Sequence, residues 1–289
     1  MSEFMQLIVN GLLLGGIYAV IAAGLTIIFG VMNVVNFAQG DFLMLAMYAG
    51  FFIHQFTGLD PYITLILVAL LFFFFGIFIE KSLISKVIEG EHEKHILLTL
   101  GIAVFFRNIV TVLFGPEYKG ITVPYRFKSY EIGNVFISHP RLISFIVAAI
   151  LMVLLWIFLT RTEFGRAMRA SSENRHAAEL MGINSKLMFV TAFGIGIMFA
   201  AIGGVALMPF YYVFPEVGVY LGLLSFIVVV LGGLGSIPGA VVGALLVGVI
   251  ESLSGEYIDL SLSHFGIFII FILVLLFKPQ GILGGEKIS

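Results

Sequence analysis

Cysteine is absent, tryptophan occurs once, and only 11% of the 289 residues are charged. Each shortage excludes something. Without cysteine there is neither a disulfide nor a thiolate to act as nucleophile or ligand. A soluble globular domain carries about 25% Asp, Glu, Lys and Arg. Fifteen basic and seventeen acidic residues cannot cover a soluble surface of this size, and their balance of −2 offers no general attraction to nucleic acid. The dipeptide Gly-Lys is missing, so no phosphate-binding loop of the G-x-x-x-x-G-K-[ST] kind exists. Solvated enzymes, nucleic-acid binders and disordered scaffolds are all disfavoured. What is abundant is apolar: 60% of the chain is hydrophobic, and its main solvent is lipid.

Uncharged windows define the expected spans, because a hydrocarbon core of about 30 Å needs roughly 20 apolar residues per helix. The first runs 37 residues, from Phe4 to Gly40. Met1-Ser2-Glu3-Phe4 lacks the positive start of a secretory signal, and the apolar run behind it is too long for one, so it reads as a retained span. Others cover 42–59, 61–79, 142–160, 187–215, 217–250 and 260–277, with a weaker window at 95–116 broken by Arg107. The window 217–250 is too long for one helix and divides at its Gly-rich middle, 232–239. The expectation is an all-α polytopic membrane protein with eight or nine segments, some broken or re-entrant at glycines. No domain boundary is visible, so 1–289 reads as one integral membrane domain.

Basic residues orient it. Lys81, Lys86 and Lys94 fall in one loop, and Arg161, Arg166, Arg169, Arg175 and Lys186 in another. Only Lys119, Arg126, Lys128 and Arg141 lie in the loop between them. Eight against four places the two flanking loops in the cytoplasm and 115–141 outside. The Pro, Gly and Tyr content of 115–141 predicts an ordered cap. Lys278 and Lys287 place the C-terminus inside; the N-terminus is then outside with nine spans and inside with eight.

Polar residues inside apolar windows are costly and mark function or an interior position. Asn36-Phe37-Ala38-Gln39-Gly40-Asp41, with Asn33 before it, suggests a broken helix whose freed backbone groups face a solute. The same residues also suit a polar turn capping the next helix, with Asp41 near its start. Arg107 and Glu251 stand alone in their windows; Arg107 either snorkels or pairs internally. His92-Glu93-Lys94-His95 has its histidines three apart, where a zinc site of the H-E-x-x-H kind needs four, so no metal site is expected. Gly233-x-Gly235 lacks the third glycine of a dinucleotide fingerprint. Spacings of four, Gly11 to Gly15 and Gly235 to Gly239 to Gly243, put glycines on one helix face for close backbone packing, inside one subunit or between two. Phe72 to Phe75 reads as lipid-facing or core bulk.

The segment 161–186 carries the densest mixed charge. Helix formers run from Glu173 to Met181, Ser171 or Ser172 can cap the start, and Gly182 stops it. Ala177, Ala178 and Met181 are expected on one face. Such a helix can lie on the membrane or dock into a groove of a soluble partner.

Four motifs carry a family resemblance across nearly the whole chain. They are the G-R-A-x-R-A run from Gly165 continuing to Gly182-Ile183, Val230-Leu231-Gly232-Gly233-Leu234-Gly235-Ser236-Ile237-Pro238-Gly239-Ala240, Asn36-Phe37-Ala38-Gln39-Gly40, and Pro279-x-Gly281-Ile282-Leu283-Gly284. Together they resemble the permease subunits of bacterial and archaeal ABC importers for branched-chain amino acids, most closely the shorter of two paired permeases. Two positions depart from the pattern: His176 stands where many importers have the Glu of E-A-A-x-x-x-G, and Glu173-Asn174 replaces an acidic pair.

The resemblance implies a non-enzymatic translocation subunit in the cytoplasmic (inner) membrane. Its implied partners are a second homologous permease, two cytoplasmic ATPases that hold ATP and Mg, and an extracytoplasmic solute-binding protein. No cofactor is implied on this chain itself. Arg166, Arg169, Glu173, Ala177, Ala178 and Gly182 become the candidates for ATPase coupling. Asn36, Phe37, Gln39 and Asp41 are the candidates for the substrate pathway, with the two amides supplying dipoles, no full charge in the pore, and Phe37 and Met44 as apolar neighbours. Related permeases carry urea or short amides, which is the alternative substrate. An ion-coupled secondary transporter would be expected to show more intramembrane carboxylates than Asp41 and Glu251.

Overall fold

The computed structural model describes residues 2–87, 92–257 and 263–284. Nine apolar helices occur among them: α1 (Ser2–Met32), α2 (Gln39–Thr57), α3 (Pro61–Ser82), α4 (His92–Phe114), α5 (His139–Arg161), α8 (Ser185–Leu207), α9 (Val217–Gly232), α10 (Ile237–Tyr257) and α11 (Ser263–Phe277). Two short helices, α6 (Glu163–Glu173) and α7 (Arg175–Leu180), join α5 to α8. Six helices are long and apolar enough to cross a membrane; α9 and α11 are shorter, and α2 carries Gln39, Asp41 and His54 within its 19 residues. The expected eight or nine segments are thus met only roughly. The all-α expectation also misses a small hairpin, β1 (Ser129–Ile132) with β2 (Val135–Ser138), antiparallel in register Ser129 to Ser138.

Several helix starts follow the capping chemistry of their sequences. Asp60 accepts from the Tyr62 amide ahead of α3, with Pro61 in the first turn, and Asn184 accepts from Leu187 ahead of α8. Helices α1 and α8 form the centre, with 83% of their apolar windows buried, against 22% for α4 and α5. Glycines set this arrangement. A Cβ on Gly15 would lie 2.7 Å from the Ala244 carbonyl oxygen of α10, and one on Gly11 would lie 2.5 Å from the Val249 Cα. Backbones this close gain dispersion contacts that larger side chains would prevent. Phe72 is buried while Phe74 is 65% exposed, so the phenylalanine run divides between core and outer face.

The second glycine ladder requires correction. Gly235 lies before α10 with φ +83°, in the turn beside Gly30, and shares no helix face with Gly239 and Gly243. Those two lean on α9 within the same chain, Gly239 at Gly232 and Gly243 at Val228.

The two ends of the bundle are distinguishable. Gln6 exchanges two 2.7 Å hydrogen bonds with the Phe136 backbone, setting the start of α1 beside β2. The other end of α1 meets α6, where Ser172 donates to the Gly30 carbonyl. The N-terminal end therefore lies with segment 115–141, opposite the basic segment 161–186. This arrangement is the one in which the positive-inside rule goes with the nine-segment alternative and an outside N-terminus. Lys278 follows α11 at the Gly30 end, where the 281–284 backbone meets Leu231 to Gly233; Lys287 lies outside the described residues. Segment 115–141 is an ordered cap: Lys119 and Val213 exchange backbone hydrogen bonds of 2.8 Å, and the Tyr125 hydroxyl donates to Asp60 at 2.6 Å. Burial, and next the Asp60 carboxylate beside it, raise the Tyr125 phenol well above its ordinary range.

Candidate translocation site

Helix α1 ends at Met32, and α2 begins only at Gln39. Between them Asn33 takes φ +54° and the chain turns back into the bundle. Gln39 Nε2 donates to the Gly196 carbonyl at 3.1 Å, about halfway along α8, so α2 starts deep within the protein. Gly40 is pressed against Gly218 and Gly222 of α9. This is a discontinuous helix pair of the kind that places irregular backbone only where protein or a cavity surrounds it.

The start of α2 faces a cavity of about 320 Å³, lined by α2, α4 and α9. Asn36, Phe37, Gln39 and Asp41 all contribute to its wall. Asn36 and Asp41 are buried, while Phe37 is 41% exposed and stacks on Phe226 at 6.0 Å between centroids. The rest is largely apolar: Leu100, Ala103 and Val104 from α4, Val219 and Leu223 from α9. Met44 is fully buried and does not line the cavity.

Two expectations change here. The amides are partly engaged: Asn36 Oδ1 accepts from the Ala38 amide at 3.1 Å, Asn36 Nδ2 donates to Gln39 Oε1 at 3.3 Å, and Gln39 Nε2 serves Gly196. The start of α2 has no side-chain cap at Ala38, so the polar turn closes on itself instead of capping the helix as the second reading expected. The expected absence of full charge also fails. Arg107 Nε and Nη2 donate to Asp41 Oδ1 and Oδ2, both at 3.0 Å, in a bidentate pair on the cavity wall. Arg107 had been singled out as an intramembrane charge, but its partner lies 66 residues away. Gly218 and Gly222 were missed, although their spacing of four is the same small-residue signal read elsewhere. Glu251 lies apart from this cavity and accepts from the Tyr220 hydroxyl at 3.1 Å.

Segment 161–186 also differs from expectation. Helix formation begins at Glu163, not after Ser171, because the Thr162 side chain accepts from Gly165. Ser171 is buried within α6, and Asn174 is the residue that caps the second helix, accepting from Ala177 at 3.0 Å. Gly182 ends the segment with φ +84°, which suits glycine. The expected apolar face is split: Ala178 is buried in its own chain, whereas Ala177, Leu180 and Met181 are exposed. Arg166, Arg169 and Glu173 are exposed on α6. Arg175 pairs with Glu179 at 3.0 Å, and that hydrogen bond lowers the Glu179 carboxyl below its ordinary value.

A bundle of apolar helices, one of them discontinuous beside a part-open cavity, is the architecture of a polytopic membrane protein. Residues 7–277 match the family described as branched-chain amino acid transport system / permease component, and the chain belongs to that family. It is 33% identical to the high-affinity branched-chain amino acid transport system permease protein BraD of Pseudomonas aeruginosa, over 99% of this chain and 98% of that one. LivH of Salmonella typhimurium, with the same description, is also 33% identical, over 99% and 97%. In fold the chain resembles PsaBC from Streptococcus pneumoniae in complex with Fab, with a TM-score of 0.54, 13% identity, and 96% and 92% of the two chains covered. The family is one of transport permeases rather than enzymes.

Proposed function

We propose that this chain is the translocation subunit of an ATP-driven importer in the cytoplasmic membrane, passing branched-chain amino acids supplied by an extracytoplasmic binding protein. Residues 1–289 act as one transmembrane domain, coupled through about 161–186 to two ATPase subunits that hold the ATP and Mg. The carrying observation is the cavity at the broken α1–α2 junction, where polar groups meet an otherwise apolar wall. Such a wall suits an amino acid with an aliphatic side chain. The names of the two relatives support the substrate class.

The cavity also supports a second permease subunit as partner. Its flank carries exposed Val104, Val219 and Leu223, so the cavity is bounded by this chain on one side only. A polar route cannot border hydrocarbon directly, and a neighbouring permease closes it. The coupling surface is Ala177 with Leu180 and Met181, the exposed apolar tip of α7, beside Arg166, Arg169 and Glu173 on α6.

The test is reconstitution in proteoliposomes with the candidate second permease, ATPases and binding protein. ATP-dependent uptake of leucine, isoleucine or valine that needs all components is the expected result. Uptake by this chain alone driven by an ion gradient, or ATP-driven uptake of urea in place of amino acids, overturns it.

A further inference from the structure

We infer that the Asp41–Arg107 pair is the element that reads the two charges of a zwitterionic amino acid: the substrate ammonium takes over Asp41 while its carboxylate takes over Arg107. The inference rests on the importer reading and specifies the chemistry of its cavity. Ion pairs are poor stabilisers away from water, since desolvation offsets most of their attraction, so a pair retained in an apolar bundle points to use. Its placement fits that use. Asp41 is almost fully covered, with 2% of its side chain exposed, while 28% of Arg107 remains open. Arg107 spends Nε and Nη2 on Asp41, and among the described residues Nη1 has no hydrogen-bond partner. A carboxylate arriving in the cavity therefore meets a free guanidinium edge first.

The other polar groups cannot perform this task. Asn36 and Gln39 are tied to backbone and to each other, and carry no charge to match an ammonium or a carboxylate. Around the pair, Leu100, Ala103, Val104, Val219 and Leu223 supply an apolar lining for an aliphatic side chain. The volume, about 320 Å³, falls at the small end of the ligand-pocket range of roughly 300–1,000 Å³. The exchange is balanced: two charge-assisted contacts inside the protein are replaced by two with the substrate, and the cavity stays neutral empty or filled. A passage site needs that property, because the protein's own pair re-forms and expels the substrate without a large barrier.

The absence of cysteine from this chain provides a direct test on the assembled importer without binding protein, with labelling read on this chain alone. A single Val104→Cys on the cavity wall is labelled with a thiol reagent in the presence of millimolar leucine, isocaproate, isoamylamine or isocaproamide. Protection by leucine, and not by the three analogues that each lack one or both charges, is expected. Equal protection by isocaproamide overturns the inference. In parallel, Asp41→Asn/Arg107→Gln removes both charges without stranding either. The variant should assemble with its partners as the parent does on size exclusion, while leucine uptake and leucine protection fall about tenfold or more, the scale of one lost charge-assisted hydrogen bond. Uptake at the parental rate would make the pair a structural tether and sink the inference, leaving the importer reading intact. If the parent complex transports no amino acid but does transport urea, the importer reading for amino acids fails, and the inference with it.

Discussion

Two breaks interrupt the apolar helices, one at 33–38 between α1 and α2 and one at 233–236 between α9 and α10. The first carries Asn33 and Asn36 among apolar residues, the second Gly233, Gly235 and Ser236, and the two end differently. At the second, Leu231 and Gly232 present helix-terminal carbonyls, and the amides of Ile282 and Leu283 meet them at 2.7 and 3.0 Å. The motif at 279–284 therefore closes the motif at 230–240, with Gly233 against Gly281 and Gly284 leaving no room for side chains. At the first break, among the described residues, no backbone amide from a distant part of the chain bonds a carbonyl of 33–38. One amide side chain folds back on its own turn, another spans to α8, and the remaining space is a cavity with a charged pair on its wall. A broken helix exposes polar groups in both cases. Whether a solute can use them depends on what the rest of the chain brings to the gap.

Four experiments break or sharpen that contrast. The largest effect is expected from Gly239→Leu, which drives a side chain into the Gly232 backbone of α9. Overpacking of about 3 kcal/mol or more should abolish monodisperse protein on size exclusion; normal assembly would mean that α9 and α10 separate readily. Next is Asp41→Ala, which leaves Arg107 facing an apolar wall without its counter-ion. A loss of about 3–5 kcal/mol in thermal stability is expected, most of it recovered in Asp41→Asn/Arg107→Gln; equal losses in both would show that packing, not charge, holds the site.

Ile282→Pro removes one amide from the closed break and leaves the Leu231 carbonyl unpaired. About 1–3 kcal/mol should be lost with leucine uptake per folded transporter unchanged; a selective loss of uptake would place the second break in the transport cycle. The smallest effect on stability, within about 0.5 kcal/mol, is expected from Ala177→Asp with Leu180→Asp, because both positions are exposed. These changes should nevertheless uncouple uptake from ATP hydrolysis and reduce ATPase co-purification. Ala178 is unsuitable for this purpose, since an Asp there would disrupt the chain's own packing. Retained coupling would remove α7 as the docking element.

Much of the architecture was legible from local pattern. Apolar windows marked the segments, Asn36 to Asp41 and the 232–239 run marked the breaks, and Gly11 and Gly15 marked a close helix contact. The helices of 161–186 begin elsewhere than expected because Thr162 and Asn174 take the capping roles from Ser171 and Ser172. All four residues are of types that cap well, and only the path of the chain out of α5 selects among them. The hairpin at 129–138 was missed because two four-residue strands carry too little periodicity to register beside long apolar runs.

The sequence by itself determined that the chain lives in lipid, roughly where it crosses and which family it joins. Those properties are sums over neighbouring residues, and burial in hydrocarbon depends on composition along a segment. Tertiary structure alone decided that Arg107 neutralises Asp41, that 281–284 seals the end of α9, that Gly239 and Gly243 face their own chain, and that Ala178 is inside while Ala177 is outside. Each of these is a pairing between residues far apart in the chain or a choice of helix face. A charge or a glycine announces that it needs a partner, but which partner it meets is settled only when the helices pack.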